Sequence, residues 1–443
     1  MYHYGCIIFI EIKHNEKKSE EIVSNVKELI ESIDFKSRSK YLEKAFTRFR
    51  AFTIERILIL VLLGKKRSIQ NNLNIFFDKI GEVELIPSSS SYTQARNKLK
   101  PEAFKEISKK IVTDFYSLYD YDKWNNKRLI GIDGSMINLP LTKETKEKYI
   151  VKRNDKVSLP QCLGSFAYDV LNEITISAKF DILQGEKEFI INEHIKNFNE
   201  NDILLMDRAY ADYSLMALLI SKKINFVVRI KINSTNKEIY TFLDSGKESD
   251  IVSMKCTKGQ SKFVKANNLP KEIKVRLVRI ELDTGETEVL ITTLFNETVE
   301  EINYLYGKRW GIETYFNRLK SIFELERFSG ESLNSIEQDF FSVIFLTNFE
   351  SILVREANEE IKQDLKHRNY QYKVNRNVSY SALTNKIIDL FILEDVTNSY
   401  ILNKINIMLK KNPIIIRNER KYERKHNTTG SLRYNLYRKR ISA

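Results

Sequence analysis

The 443-residue sequence predicts an α/β protein, a mixed sheet flanked by helices, with a β-rich insertion and helical N- and C-terminal regions. Three observations predict it. Short apolar strand segments alternate with helical ones between 129 and 230, a strand-rich stretch interrupts the pattern at 232–297, and both flanks carry charged and apolar residues at helical spacing. With 42% hydrophobic and 30% charged residues the composition is that of a folded globular chain, which excludes disordered and fibrous classes. Its length suffices for two or three separately buried cores.

Taken in order, residues 16 to about 120 read as helical with few breakers, and 52–63 is a strongly apolar helix. Ile86-Pro87 and the serines 88–91 form a break and an N-cap region, after which 92–99 resumes as helix. Gln94, Arg96, Asn97 and Lys98 on that second helix suit base edges or phosphates, so the segment reads either as a helix-turn-helix or as a plain bundle with a solvated face. An apolar run at 129–132 ends in Asp133-Gly134. Segments 162–170 and 174–183 flank Asn172 as a hairpin, 186–198 reads as helix, and 203–206 is a buried strand ending at Asp207. A helix at 213–220 and a strand at 225–230 follow. Within the insertion, 274–282 and 288–294 flank the turn Asp283-Thr284-Gly285. Residues 299–323 read as one long helix, and helical character continues to about Leu409, where 340–354 suits a core or a subunit interface.

Lys+Arg exceed Asp+Glu by 72 − 59, a net charge of +13, which points to a polyanionic partner such as nucleic acid. From Lys410 to Ala443 there are 11 Lys/Arg against two Glu, so +9 of the +13 lies in that tail. There Arg433, Arg438, Lys439 and Arg440 alternate with Tyr434 and Tyr437, a mixture suited to backbone contacts and stacking on DNA, or to a solvated tail. No membrane partner is expected, because no apolar run approaches the about 20 residues of a spanning helix. Cys6, Cys162 and Cys256 are odd in number and form no C-x-x-C pair, which argues against a disulfide framework and a zinc site. The apolar stretch 4–10 is followed by Glu11 with no small-residue cleavage site, so a cytoplasmic protein is expected.

Asp133 and Asp207 each stand where an apolar strand run gives out. A strand ending in Asp sets a carboxylate at the sheet's rim, and two there repel unless a cation lies between them. Magnesium or manganese, which prefer oxygen ligands, meet that need. Two such ions about 3.5–4 Å apart activate a nucleophile and stabilise the leaving oxygen at a phosphodiester. Either aspartate alone is equally a turn residue or a surface ion-pair partner. The segment from Tyr306 to Lys320 adds Y-x2-R-x3-E-x6-K. At roughly 100° per residue, Tyr306, Arg309, Glu313 and Lys320 fall within about 60° of one another on a helix. An exposed stripe of helical ion pairs has the same look. Yet Ile312, Phe316, Leu319 and Phe323 form an apolar stripe on the same helix, able to pack on a sheet while Glu313 faces its rim.

This helix, with Asp133 in Gly-Ile-Asp-Gly-Ser and Asp207 in Asp-Arg-Ala-Tyr, resembles the Y-R-E-K signature and aspartate motifs of bacterial DDE transposases of the insertion-sequence-four family. The resemblance covers about residues 129–330 and implies a ribonuclease-H-like catalytic domain at 126–330 with its β insertion at 232–297. It also implies a helical N-terminal DNA-binding domain at 1–125, a helical C-terminal region at 331–409 and a basic tail at 410–443. It makes Asp133, Asp207 and Glu313 ligands of two Mg2+ ions, with Mn2+ as a substitute, and Tyr306, Arg309, Lys320 and Arg208 contacts of the DNA backbone. The implied activity is cut-and-paste transposition by a homodimer on double-stranded DNA, at element ends and target, in a bacterial cytoplasm and its nucleoid. Some members stack a flipped base on a tryptophan in the insertion, but this chain's tryptophans, Trp124 and Trp310, lie outside it. That leaves Tyr240, Phe242 and Phe263 as substitutes or as core residues, and Trp310 is expected to pack beneath the site. A different nuclease of this fold would account for the carboxylates but not for the spacing around Glu313. A transposase-derived DNA-binding protein without catalysis is the other alternative.

Overall fold

A computed structural model describes residues 17–47, 51–64, 67–149, 152–153, 156–157, 160–181, 185–230, 237–281 and 285–416. Among the described residues the first α-helices are α1 (Lys18–Glu31), α2 (Ile33–Arg38), α3 (Ile54–Leu62), α4 (Ile69–Lys79), α5 (Ser89–Arg96) and α6 (Glu102–Leu118). The hydroxyls of Ser32, Thr53, Ser68 and Ser88 cap α2, α3, α4 and α5 by accepting a backbone N–H three residues on. The cap on Ser88 is why α5 begins three residues before the expected start at 92.

Eight strands form one sheet: β1 (Arg128–Asn138), β2 (Gln161–Asp169), β3 (Ile174–Asp181), β4 (Asp202–Met206), β5 (Asn225–Ile230), β6 (Ser249–Lys255), β7 (Glu272–Glu281) and β8 (Thr287–Thr292). Their order is β3-β2-β1-β4-β5-β8-β7-β6, and α7 (Lys143–Tyr149) follows β1 in the chain. β1, β4 and β5 run parallel, and every other pairing is antiparallel. An antiparallel hairpin leading into parallel strands joined by crossovers is the ribonuclease-H-like arrangement expected. The segment 232–297 extends this same sheet beyond β5, and it also holds two helices, α10 and α11 in chain order (Lys237–Asp244 and Ser261–Ala266). β7 and β8 pair antiparallel and Gly285 has a φ of 79° that suits glycine, while Leu282, Asp283 and Thr284 of the expected turn lie outside the described residues.

Alternation along the strands divides the core between the sheet's faces. Ile130, Ile132, Leu204 and Met206 face Ile190, which follows α8 (Glu186–Phe189), α9 (Tyr213–Ser221) and the two helices of the insertion. Leu129, Ile203 and Leu205 face α12 (Val299–Lys308). Beside it, α13 (Trp310–Ser321) lies on β1 and β2, where Tyr315 stacks on Tyr168 at 4.3 Å and its hydroxyl oxygen accepts from the Thr175 hydroxyl at 2.6 Å. The helix expected at 186–198 is instead α8 followed by a π turn at Ile190–His194 and a 3-10 turn at Ile195–Asn197.

The 32-residue α14 (Leu333–Asp364) is buried over nearly all of 335–354, so the apolar run at 340–354 is core. Against it pack α6, α15 (Arg376–Phe391) and α16 (Asn398–Lys411), so helices from before and after the sheet share one hydrophobic cluster. Buried polar groups fix how they meet. Arg96, 2% exposed, donates to Gln338 at 2.6 Å, to the carbonyl of Ser335 at 2.9 Å and to Asp339 at 2.9 Å. It is therefore a structural clamp between α5 and α14, not a base-reading side chain, while Gln94, Asn97 and Lys98 are exposed. No helix among the described residues is long and apolar enough to cross a membrane. Tail residues 417–443, including Arg433, Tyr434, Tyr437, Arg438, Lys439 and Arg440, lie outside the described residues.

Candidate active site

The parallel register builds the centre of the site. The last pairs joining β1 to β4 and β4 to β5 are Ile132 with Met206 and Met206 with Val228. One step further, Asp133, Asp207 and Arg229 therefore stand level across three adjacent strands. β4 stops at Met206, so Asp207 begins the following turn and its carboxylate accepts the Ala209 N–H at 2.6 Å. β1 does not end where expected. It continues to Asn138 because β2 goes on pairing with it, and Asp133 lies inside the strand opposite Phe166. The carboxylate still reaches the rim, because it is the neighbour β4 that ends.

Glu313 comes from above. The segment expected as one helix at 299–323 is two, broken at Arg309, whose N–H donates to Tyr306 O and whose carbonyl accepts from Ile312 N. These three-residue bonds tighten the turn, and Gly307 and Gly311, weak helix formers, flank it. Close approach explains the glycines on this contact. A Cβ on Gly131 would meet Ile312 Cβ at 3.4 Å, and one on Gly311 would meet Val170 Cβ at 3.2 Å. The apolar stripe behaves as read, with Ile312, Leu319 and Phe323 fully buried. The polar stripe is split: Tyr306 is 8% exposed and Arg309 4%, while Glu313 is half-buried and Lys320 is exposed.

Arg309 links the parts. Its guanidinium donates to Glu313 at 2.9 Å and lies 3.8 Å from Asp133. It also lies over the rings of Tyr306 at 5.6 Å and Trp310 at 5.4 Å. Burial raises the Tyr306 pKa, against the pull of Arg309 and Arg229. Trp310 does not pack beneath the site; it is 45% exposed. Of the insertion aromatics, Phe242 is buried and Phe263 packs against the same core, while Tyr240 is 46% exposed. Lys320 stands apart. It donates to Met136 O at 2.6 Å and pairs with Glu326 at 3.5 Å, about 10 Å along α13 from Glu313 at 1.5 Å per residue. Arg208 is exposed on the turn after Asp207.

Two charged neighbours were not singled out from the sequence. Arg229 lies 3.8 Å from Asp207 and is ion-paired with Glu288. Glu186, at the start of α8, comes in beside Gly134, where its Oε1 would lie 3.1 Å from an added Cβ. Counting one residue past the apolar run of β5 would have found Arg229, but Glu186 needs the path of the chain after β3.

Burial pushes the Asp133 carboxyl up to about 6, opposed by the Gly134 N–H and Arg309 and reinforced by Asp207 and Glu186. The rim is thus acidic, with Asp133, Asp207, Glu186 and Glu313 set against the guanidinium groups of Arg309 and Arg229. Among the described residues no three His, Cys, Asp or Glu side chains close around a common point for an ion. Asp133 and Asp207 feel each other directly, and Glu313 is tied to Asp133 only through Arg309.

A family model described as the transposase DDE domain matches residues 124–349, the span from β1 to the middle of α14. The transposase InsG for insertion sequence element IS4 of Escherichia coli (strain K12) is 21% identical over 282 residues, 62% of this chain and 62% of that protein. The match thus spans less than two thirds of that relative's length. A cryo-EM structure of the piggyBac transposase synaptic complex with hairpin DNA aligns with a TM-score of 0.44 and 13% identity, covering 87% of this chain and 85% of that one. Because the family model takes in just over half of the chain, and with it both aspartates and Glu313, the chain belongs to the transposase DDE domain family.

Proposed function

We propose that this chain is a DNA transposase that cleaves phosphodiester bonds at the ends of a mobile element and joins the freed ends to target DNA. The observation that carries the reading is the level placement of Asp133 and Asp207 on parallel strands, with Glu313 brought over them by α13. The donor chemistry fits divalent cations. The carboxylates are hard oxygen donors, and Asp133 is held near 6 by burial and acidic neighbours, a surplus of negative charge that a cation would offset. Asp133, Asp207 and Glu313 would hold two Mg2+ ions, or Mn2+ in their place. When bound, the ions would sharpen the attacking water or 3′-hydroxyl and stabilise the leaving oxygen.

The remaining residues act on the DNA backbone. Arg309 offers a planar fork to a phosphate once its bond to Glu313 is exchanged, and Tyr306 backs it. Lys320 would meet the backbone farther along the rim, and Arg208 from the turn after Asp207. The partner is double-stranded DNA at element ends and target, engaged by a homodimer in the bacterial cytoplasm and nucleoid.

The test is strand cleavage of a labelled duplex carrying the element's own ends, in Mg2+ or Mn2+, by the wild-type chain and by Glu313→Ala. Cleavage at the end that vanishes in the variant, with DNA binding retained, is expected. Equal cleavage by both would remove Glu313 from the chemistry. Binding with no cleavage by either would instead favour a transposase-derived DNA-binding protein.

A further inference from the structure

We infer that Arg318, Glu350, Arg376 and Glu173 are positioning residues for Glu313, a ring of charges through which the C-terminal helices fix where that carboxylate stands beside Asp133. The inference rests on the reading of Glu313 as a carboxylate of the active site and adds what holds it there.

α13 meets the sheet through apolar side chains and close glycine contacts, Ile312 against Gly131 and Gly311 against Val170. Apolar burial is non-directional, so it holds the helix down without setting its position along its own axis. Directional bonds do that. Tyr315 and Lys320 supply two of them, and Arg318 supplies a charged set. Five residues beyond Glu313, about 7.5 Å along the helix, Arg318 donates to Glu173 at 2.8 Å and to Ser351 at 3.1 Å, and lies 3.6 Å from Glu350. Glu350, 1% exposed, also accepts from Arg376 and from the Ser379 hydroxyl, both of α15, and Arg376 reaches back to Glu173. Two arginines and two glutamates thus alternate in a closed ring, each pairing with both charges of opposite sign. Its members come from the turn before β3, from α13, from α14 and from α15. A guanidinium offers its donors in a fixed plane, so α13 cannot slide or turn without parting charges in a largely buried setting.

The backbone of Glu173 is a second, independent observation. Its φ of 57° lies in the left-handed region, which disfavours a side chain and suits glycine or asparagine. A glutamate stands there nonetheless, and its carboxylate receives both arginines. Burial would raise that carboxyl, but Arg376 and Arg318 outweigh it and hold it below its ordinary value. The ring acts through α13, whose first turn carries Glu313 to Arg309 and so towards Asp133. A misplacement of about 1 Å at such a site costs on the order of a hundredfold in rate.

The experiment uses the full-length chain with Glu173→Gln, Glu173→Gly, Arg318→Met, Glu313→Ala and, as control, Arg56→Met, which breaks a 2.8 Å pair with Glu82 among the N-terminal helices. Three quantities are read: the single-turnover cleavage rate at saturating end duplex in Mg2+, the Kd for that duplex without metal, and the emission of Trp310 in a Trp124→Phe background without DNA or metal. Trp310 opens α13 and is one of two tryptophans in the sequence, so its emission reports on the helix itself. Both Glu173 variants and Arg318→Met are expected to cleave at least about tenfold more slowly with Kd within about twofold of wild type, and to shift the Trp310 emission. Arg56→Met should lose stability and keep the wild-type rate and emission. Glu173→Gln keeps a hydrogen-bond acceptor at a half-exposed position, so it decides the matter where Arg318→Met fails to fold. If Glu313→Ala is inactive while both Glu173 variants cleave within about twofold of wild type, the ring is structural and the inference alone falls. An unshifted Trp310 emission, or an equal loss of rate in Arg56→Met, overturns it too. If Glu313→Ala cleaves as wild type does, the reading of Glu313 falls and its positioning with it.

Discussion

Replacing Asp133 by Asn should stabilise the metal-free protein, by an amount set by pH. The folded chain holds the Asp133 proton to about 6, against an ordinary value of 3.8. About two pKa units at about 1.4 kcal/mol each give about 3 kcal/mol, which partial exposure lowers to about 2–3 kcal/mol. The direction follows from which state binds the proton more tightly. Below 3.8 both states are protonated and Asp133 costs nothing. As pH rises, the unfolded chain ionises first, so the cost grows and is complete above about 6. An Asn amide oxygen can still accept the Gly134 N–H that Asp133 accepts at 2.8 Å. The attraction to Arg309 is lost, but it is already counted in the net shift. Urea unfolding in EDTA should therefore show Asp133→Asn more stable than wild type by about 2–3 kcal/mol at pH 7.5, with the difference shrinking to nothing near pH 4. Millimolar Mn2+ should stabilise wild type and leave the variant unchanged, since only the carboxylate form gains a ligand. A variant less stable than wild type at pH 7.5, or a difference that does not vary with pH, would refute the view of Asp133 as a carboxylate held against its preference.

Arg96→Ala should lose roughly 3–5 kcal/mol in thermal or urea unfolding, because it removes the cation paired with the buried Asp339 carboxylate and leaves it the neutral Ser329 donors, whereas Asn97→Ala and Lys98→Ala on the same turn should stay within about 0.5 kcal/mol. His194 is fully buried between the hydroxyls of Ser165 and Ser177, at 3.0 and 2.9 Å, and burial pulls its pKa down to about 4. The folded chain therefore loses up to roughly 3 kcal/mol as pH falls from 6.5 towards 4, and urea unfolding of His194→Asn should show a shallower acid limb. Gly131→Val should lower the cleavage rate at least about tenfold by lifting α13 off β1 and moving Glu313 from Asp133, with DNA affinity little changed; cleavage kinetics beside a gel shift would check it.

Much of this was legible because the signals were local. The runs before Asp133 and Asp207 mark strands that must be buried on both faces, and the spacing from Arg309 to Glu313 sets the ion pair that forms. The apolar stripe through Ile312, Leu319 and Phe323 told which side of α13 meets the sheet. What was not legible depended on partners distant in sequence. β1 outlasts its apolar run because β2 continues beside it, so Asp133 lies inside a strand. Arg96 has the composition of a DNA contact, and only α14, more than two hundred residues later, turns it into a clamp. The break at Arg309 falls beside the close packing at Gly131 and Gly311, which a count of helical periods does not register. Glu186 carries no motif, and its relevance appears only when the chain after β3 returns to the rim.

Arg309 shows why such a site can be folded before it is loaded. Burying Asp133 beside Asp207 and Glu186 is unfavourable, and the fold answers with a single guanidinium within 4 Å of two of the acids it must keep, Asp133 and Glu313. That guanidinium is 4% exposed and held over two aromatic rings, so it is a fixed positive charge and not a mobile side chain. It is enough to bring Glu313 to the rim, but at 3.8 Å it only partly offsets Asp133, which is why that carboxyl still stands near 6. Cations supplying the missing charge would release Arg309 from Glu313 towards an incoming phosphate. The same residue would then serve in turn as placeholder and as DNA contact, and its position between Tyr306 and Trp310 would not have to change.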